Sequence, residues 1–408
     1  MKRTTIFITL MIIIGLLISG TAYPARKPGM SDDMKTLVKG NNDFGFDIYR
    51  KLCAGSKQNL FLSPYSISTA LGMTYAGAKG NTQKQMSKVL HYDLPQKRLH
   101  KSFSDIMKSL DEGGKRRGYQ LNVANRLWGQ KGYKFLDSFL NVIKTYYDGG
   151  LQIVDFKRAT EKARVTINTW VEKETNGKIK DLLSKGILTS DTRLVLTNAI
   201  YFKDEWLSRF DPEMTQKETF KLADGKSIKT DMMHQSSYFK YNNADGVQIL
   251  EMPYRGRDIS MVILLPDKVN GIYQLEKKLN SGNMDKWIKG MRHQKVGVIM
   301  PKFKLDSSFS LGDTLKKMGM SQAFSSKADF SGMTGKKDLF ISAVIHKTYV
   351  SIYEAGTEAA AATAVVMTKS AAGPSKKPKL FRADHPFVFV IRDKRTGSVL
   401  FIGRLMKP

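Results

Sequence analysis

Catalytic or metal-binding chemistry in this chain would fall first to six histidines and one cysteine: His91, His100, His234, His293, His346, His385 and Cys53. The histidines are scattered, and none has the spacing that brings imidazoles to a shared metal. Cys53 ends the apolar helical pattern F-D-I-Y-R-K-L-C, where a thiol serves as a small buried hydrophobe rather than a nucleophile. Neither G-x-S-x-G, H-E-x-x-H nor C-x-x-C occurs, and nothing marks a Ser/His/Asp triad. Gly72 and Gly77 have the spacing of a phosphate loop, but Ala78 and Lys79 follow where Lys and Ser/Thr would be needed. Close helix packing is the expected reason for these glycines. No cofactor and no metal is implied.

The stretch with the most unusual chemistry is Glu354–Ser370, E-A-G-T-E-A-A-A-A-T-A-V-V-M-T-K-S. On propensity alone Ala359–Ala362 would pass for helix. Laid out as a strand, one face carries Thr357, Ala359, Ala361, Thr363, Val365 and Met367. The other carries Glu358, Ala360, Ala362, Ala364 and Val366. The first face is small and mostly apolar, so it could join a crowded sheet without clashes, and Gly356 supplies a hinge. The segment from Gly356 to Ser370 would span roughly 50 Å when extended. A stretch able to be either an exposed loop or a buried strand points to a conformational switch.

Composition limits the setting. Lys2 and Arg3 precede an apolar run over residues 4–19, and Gly20-Thr21-Ala22 follows. This is the pattern of a secretory signal peptide, residues 1–22, cleaved after Ala22 or, as second choice, Ala25. An uncleaved anchor is the rival, since the run is near the lower limit for spanning. A secreted, soluble, extracellular protein of 386 residues is therefore expected, with a formal charge of +27 after Lys2 and Arg3 are lost from the total of +29. The lone Cys53 excludes an intrachain disulfide, and no Asn-x-Ser/Thr sequon occurs. The positive excess favours polyanions such as heparin and other glycosaminoglycans, or simply solubility. The basic runs lack the interleaved aromatics of a nucleic-acid groove, so neither nucleic acid nor membrane is an expected partner.

The elements that must position these residues read as one α+β domain over residues 23–408, with no repeat and no linker. Helices are expected over 33–54 (with Asn42 or Asp43 capping an internal turn), 82–90, 95–110, 135–147, 160–183, 272–290 and 311–318. A further helix, buried all round, starts at Ser63 as N-cap with Pro64 in its first position. The helix over 95–110 carries Lys97, Arg98, Lys101 and Lys108, and Lys115-Arg116-Arg117 follow; it could bind a sulfated polysaccharide or be a solvated face. Strands are expected over 119–128, 151–156, 193–206 (buried on both faces), 247–253, 259–266, 295–305, 338–353, 387–392 and 398–405, with Asp224-Gly225 as a hairpin turn.

Six stretches in order carry a resemblance to a known family. They are N-L-F-L-S-P-Y-S-I at 59–67, T-N-A-I-Y-F-K-D-E-W at 197–206, F-S-G-M at 330–333, E-A-G-T-E-A-A-A-A-T at 354–363, D-H-P-F-V-F-V-I at 384–391 and L-F-I-G-R at 400–404. Through them the chain resembles the inhibitory serpins, the serine protease inhibitors, along its mature length. The resemblance implies an α+β fold of three β-sheets and about nine helices, with an exposed reactive-centre loop at about residues 355–379. It implies a monomeric inhibitor, not an enzyme. A protease attacks the loop as a substrate, and the cleaved loop then inserts into the main sheet and traps the acyl-enzyme. Trypsin-like, elastase-like or subtilisin-like serine proteases are the implied partners, and papain-like cysteine proteases remain candidates.

By the same resemblance Gly356, Thr357, Glu358, Ala359, Ala360, Ala361, Ala362 and Thr363 form the hinge of the loop. Ser63, Ser66, Asn198 and His346 match the shutter beneath the strands that part. Trp206, Lys302 and Glu354 match the breach at the top of the sheet. Ala355 stands where many members carry a charged residue. The family's usual count from Glu354 implies a scissile bond at Ser370-Ala371, while a count one residue shorter gives Lys369-Ser370, which a trypsin-like pocket would prefer. Counting back from Pro386 gives Ser375-Lys376, so the loop is about five residues longer than in antitrypsin-like members. The rival functions are a non-inhibitory serpin (carrier, storage protein or chaperone) and a glycosaminoglycan-binding protein.

Overall fold

The structure is a computed structural model that describes residues 30–147, 150–357 and 378–408. The predicted signal peptide, hinge residues Glu358–Thr363 and both candidate scissile bonds lie outside the described residues. The chain begins with α1 (Asp32–Cys53), capped by the Ser31 hydroxyl, which accepts the Met34 N–H at 3.2 Å. The helix is unbroken, so the expected internal cap is absent. Asn42 instead reaches out to the backbone of Gly397 and Val399. After β1 (Leu60–Leu62) comes α2 (Pro64–Tyr75), with Ser63 as N-cap and every residue buried. Then follow α3 (Gly80–Leu90) and α4 (Gln96–Arg117). The latter runs two turns past its expected end because Gly118, at φ 86°, is the first residue that takes up a left-handed cap.

Next come β2 (Gln120–Gln130), α5 (Asp137–Tyr147), β3 (Leu151–Val154), α6 (Thr160–Glu174) and β4 (Leu194–Glu205). Helix α6 stops well short of residue 183. The Thr175 hydroxyl turns back to the Val171 carbonyl at 2.8 Å, and Asn176 and Gly177 both adopt positive φ. Strands β5 (Gln216–Lys221), β6 (Ser227–Ala244), β7 (Val247–Pro253) and β8 (Ile259–Pro266) follow, with the Asp224-Gly225 turn between the first two. The predicted helix over 272–290 is two, α7 (Ile272–Lys278) and α8 (Ser281–Lys289), because Asn280 caps a new start on the Asn283 N–H. The predicted strand over 295–305 is also two, β9 (Arg292–Pro301) and β10 (Phe303–Ser310), in different sheets. Pro301 cannot donate to a ladder, so the chain changes partner there. The remainder is α9 (Gly312–Met318), α10 (Ser331–Thr334), β11 (Ala343–Tyr353), β12 (Gly356–Thr357), β13 (Lys379–Arg382), β14 (Phe387–Asp393) and β15 (Val399–Leu405).

The six-stranded sheet has the order β10-β11-β12-β4-β2-β3, with a direct β11–β4 pairing besides. The second, nine-stranded network runs β1-β15-β14-β8-β7-β6-β9-β13, with β5 on β6. Two of the three expected sheets are thus joined, because the 18-residue β6 pairs with β9 along Met232–Tyr241 and with β7 along Lys240–Ala244. Strand β4 is buried on both faces. Leu194, Leu196, Ile200 and Phe202 enter the main core, while Val195 and Ala199 meet Ile167 and Val171 of α6. Gly72 and Gly77 pack as expected, since a Cβ would meet the Tyr147 hydroxyl at 2.9 Å and Met333 Cγ at 2.1 Å respectively.

The core has a point where even a methyl is too much. Gly403 of β15 lies between Phe61 of β1 and Phe389 of β14, whose rings stack at 5.7 Å. A Cβ on Gly403 would stand 2.4 Å from Phe389 Cζ. The ring cannot fold away as a long flexible side chain would. Gly403→Ala should therefore lower unfolding stability by about 1–3 kcal/mol, measured as the shift in denaturant midpoint; an unchanged midpoint would contradict this packing.

Candidate functional site

The site is the seam between β4 and β11. The two strands pair directly in parallel from Ala343–Val195 to Tyr349–Tyr201. Above that zone β12 lies between them, antiparallel to both: Gly356 faces Tyr353 and Glu205, and Thr357 faces Ile352 and Asp204. The sheet is closed below and wedged apart above. Gly356 is required by close approach, since a Cβ there would sit 2.2 Å from the Asp204 carbonyl oxygen.

Within the closed zone His346 stands opposite Asn198 in register. The Ser63 N–H donates to His346 Nε2 at 3.0 Å, so Nδ1 carries the proton and donates it to Asn198 Oδ1. Asn198 Nδ2 donates to Ser66 Oγ at 2.5 Å and to Asn125 Oδ1, and the Ser66 hydroxyl donates to Asn125 Oδ1 at 3.1 Å. The four expected shutter residues thus form one cluster. Asn125 is a fifth member missed by the sequence reading. Its only signal was polarity inside an otherwise strand-like run, and register alone sets it beside Asn198. Burial drives the His346 pKa down to about 3 from 6.5. The imidazole stays neutral, as two fully used nitrogens require.

At the top of the seam Lys302 Nζ meets Glu354 Oε1 at 2.6 Å, and the Thr215 hydroxyl donates to the same oxygen at 2.6 Å. Burial opposes ionisation of Glu354, but these two bonds outweigh it and hold its carboxyl below the usual range. The Trp206 indole N–H donates to the Tyr353 carbonyl at 3.0 Å, and its ring stacks on Tyr254 at 4.5 Å. The Tyr254 hydroxyl lies 2.6 Å from Thr357 Oγ1. The three expected breach residues therefore surround the first turn of chain after β11. Thr215 and Tyr254, which were not foreseen, complete the arrangement. Asp204, opposite Thr357, is buried, and desolvation pushes its pKa up to about 7.

Other sequence expectations are placed as follows. Cys53 is buried and its thiol is pushed up to about 12 by desolvation, so it is no nucleophile. No metal cluster exists among the described residues. The basic residues of α4 are largely matched: Arg98 pairs with Asp33, Lys101 with Asp105 at 2.7 Å, Lys115 with Asp111 at 2.7 Å, and Arg116 and Arg117 with Asp258.

His346 and Asp204 load opposite pH dependences onto this seam. Between pH 6.5 and about 3 the unfolded chain takes up a proton that native His346 refuses, so stability falls as pH falls. Between pH 3.8 and about 7 native Asp204 keeps a proton that the unfolded chain releases, so stability falls as pH rises. Other groups titrate in the same window, buried His100 among them, whose pKa desolvation lowers to about 4, so the test is the difference from the unaltered protein. From pH 7 to 5 the change in unfolding stability should be about 2 kcal/mol less favourable in Asp204→Asn than in the unaltered protein, and about 2 kcal/mol more favourable in His346→Asn. Urea unfolding at the two pH values reads both differences; differences of the same sign would refute this.

Residues 39–408 match the family described as Serpin (serine protease inhibitor). The chain is 41% identical over 387 residues to the leukocyte elastase inhibitor of Homo sapiens, covering 92% of this chain and 100% of that protein. It is 43% identical over 390 residues to a serpin-like protein of Thermococcus kodakarensis, covering 95% and 89%. The solved structure of human thyroxine-binding globulin superposes with a TM-score of 0.84 at 31% identity, over 92% of this chain and 99% of that one. With a family match over most of its length and this fold, the chain belongs to the serpins, a family of protease inhibitors rather than enzymes.

Proposed function

We propose that this chain is a secreted inhibitor of serine proteases that acts as a suicide substrate. A protease cleaves the reactive-centre loop at Ser370-Ala371 or Lys369-Ser370, and the cleaved loop extends β12 down the β4–β11 seam as a new strand. The acyl-enzyme is carried away before it can hydrolyse. The free energy of adding a central strand, with its ladder of hydrogen bonds and buried side chains, drives the step.

The observation that carries this reading is the register of β12. It is already antiparallel to both strands. Continuing the same register sets Ala359 opposite Phe202 and Val350, Ala361 opposite Ile200 and Thr348, and Thr363 opposite Asn198 and His346. The small face noted in the sequence is thereby the face that would enter the core. The Thr363 hydroxyl would arrive between the two shutter partners, able to replace their mutual bond as they separate. Glu358 falls opposite Lys203 and Ser351, on the more accessible side, where a charge costs little. The carrier reading is disfavoured by these small residues, although thyroxine-binding globulin shares the fold. The glycosaminoglycan reading draws on the net charge, but most α4 cations already have carboxylate partners.

Incubation with trypsin-, elastase- and subtilisin-like enzymes should give an SDS-resistant complex, and the cleaved inhibitor should gain thermal stability. Clean cleavage with neither result would refute inhibition. N-terminal sequencing of the released fragment decides between Ser370-Ala371 and Lys369-Ser370. An exported product starting at Tyr23 would support secretion. Ala361→Arg, which forces a charge between the buried Ile200 and Thr348, should raise the inhibitor consumed per protease trapped by roughly tenfold or more. Glu358→Arg should leave it within about twofold. Equal effects of the two variants would sink the register.

A further inference from the structure

Strand β12 covers a buried acid. Thr357 stands opposite Asp204 in register, and both are buried, Asp204 to 4% exposure. The Asp204 Oδ1 accepts the Glu205 N–H at 2.8 Å. Among the described residues no second hydrogen bond and no ion pair reaches this carboxyl. The charges around it are engaged elsewhere. Arg255, from the segment between β7 and β8, is committed to Glu205 at 3.1 Å, and Arg209 binds the same carboxylate oxygen at 2.7 Å. Tyr254, beside Arg255, and Tyr119, ahead of β2, are phenols that burial keeps above their ordinary range, so they stay neutral. Glu354, which follows β11, is held ionised by Lys302.

A carboxylate with so little compensation is costly away from water, and desolvation keeps Asp204 protonated up to about pH 7. Part of the cover is β12 itself, pinned by the Tyr254 hydroxyl 2.6 Å from Thr357 Oγ1. Withdrawing β12 lets water reach the carboxyl, which then returns toward its ordinary 3.8. Between these two values the docked chain keeps a proton that the withdrawn chain releases. Docking is therefore strongest below pH 3.8, weakens by up to roughly tenfold per pH unit through the window, and changes no further above about 7. Glu354 stays ionised at pH 5 and above, and His346 lies in the closed zone, which β12 does not reach. Neither opposes the effect.

We propose that Asp204 is a positioning residue for the hinge: its proton keeps Gly356 and Thr357 in the seam, and ionisation lets them leave. More of the loop is then free to meet a protease near neutral pH than under acid conditions. That consequence rests on the inhibitory function proposed above, whereas the docking of β12 is read without any protease.

Backbone amide exchange of the peptic fragment carrying Gly356 and Thr357, referenced at each pH to the same fragment unfolded, measures that docking. Protection should fall by roughly tenfold or more from pH 5 to pH 7. In Asp204→Asn and Asp204→Ala, which are neutral at both values, it should change by less than about twofold. Tyr254→Phe removes the bond to Thr357 and leaves the acid in place, so it should lower protection at both values and retain the pH ratio. A purely structural role for Asp204 would lower protection in its variants throughout and leave the ratio as it is in the unaltered protein. That equal ratio, or protection in the unaltered protein that does not fall toward pH 7, would overturn the proposal. The unaltered profile needs no variant, so it remains decisive even if a substitution impairs folding.

Discussion

The seam between β4 and β11 depends on one neutral imidazole. His346 joins three separate pieces of chain: β11, which carries it; β4, through Asn198; and the start of α2, through the Ser63 N–H. All three partners are buried, so water cannot replace a lost bond, and an unmatched group there would cost far more than the net gain of a surface hydrogen bond. This makes the cluster all-or-none. The strands stay closed while it is intact, and parting them requires something that offers the same donors and acceptors.

The two ends of the seam are held by different physics. Below, satisfied neutral polar groups and the cover of α6 keep the strands together. Above, the Lys302–Glu354 ion pair, the Thr215 hydroxyl and the Trp206–Tyr254 stack hold the chain leaving β11, and Gly356 lets the backbone approach Asp204 closely. Glu354 is mostly buried while Lys302 is partly open to solvent, so the pair escapes much of the screening that makes exposed ion pairs nearly neutral for stability. The high formal charge plays little part here. It resides in surface lysines and arginines, many of which have nearby carboxylates. Polyanion binding at α4 would therefore mostly have to exchange existing pairs rather than fill bare charges.

The local sequence determined a great deal. Ser63-Pro64 specified where α2 begins, because a cap and a proline at the first helical position act within a few residues. The apolar run over 193–206 marked β4 as buried on both faces. The family was legible from six short stretches for the same reason: each records a local packing requirement. Sequence periodicity failed where helix ends were chosen by side chains turning back on the backbone, at Thr175 and Asn280, and where Pro301 sent consecutive residues into different sheets.

Only the tertiary structure decided which polar residues meet. Asn125, Thr215 and Tyr254 look ordinary in their own neighbourhoods, and each joins the site through a partner more than 50 residues away. The same holds for Arg126 of β2, whose guanidinium lies 4.1 Å from the centre of the Trp170 ring of α6, a packing that leaves no trace in the string of letters. Residue types and spacing dictate what one segment can do. Register and burial, which arise only when distant segments share a sheet, dictate which groups are desolvated together and so which protons, charges and hydrogen bonds the fold can hold.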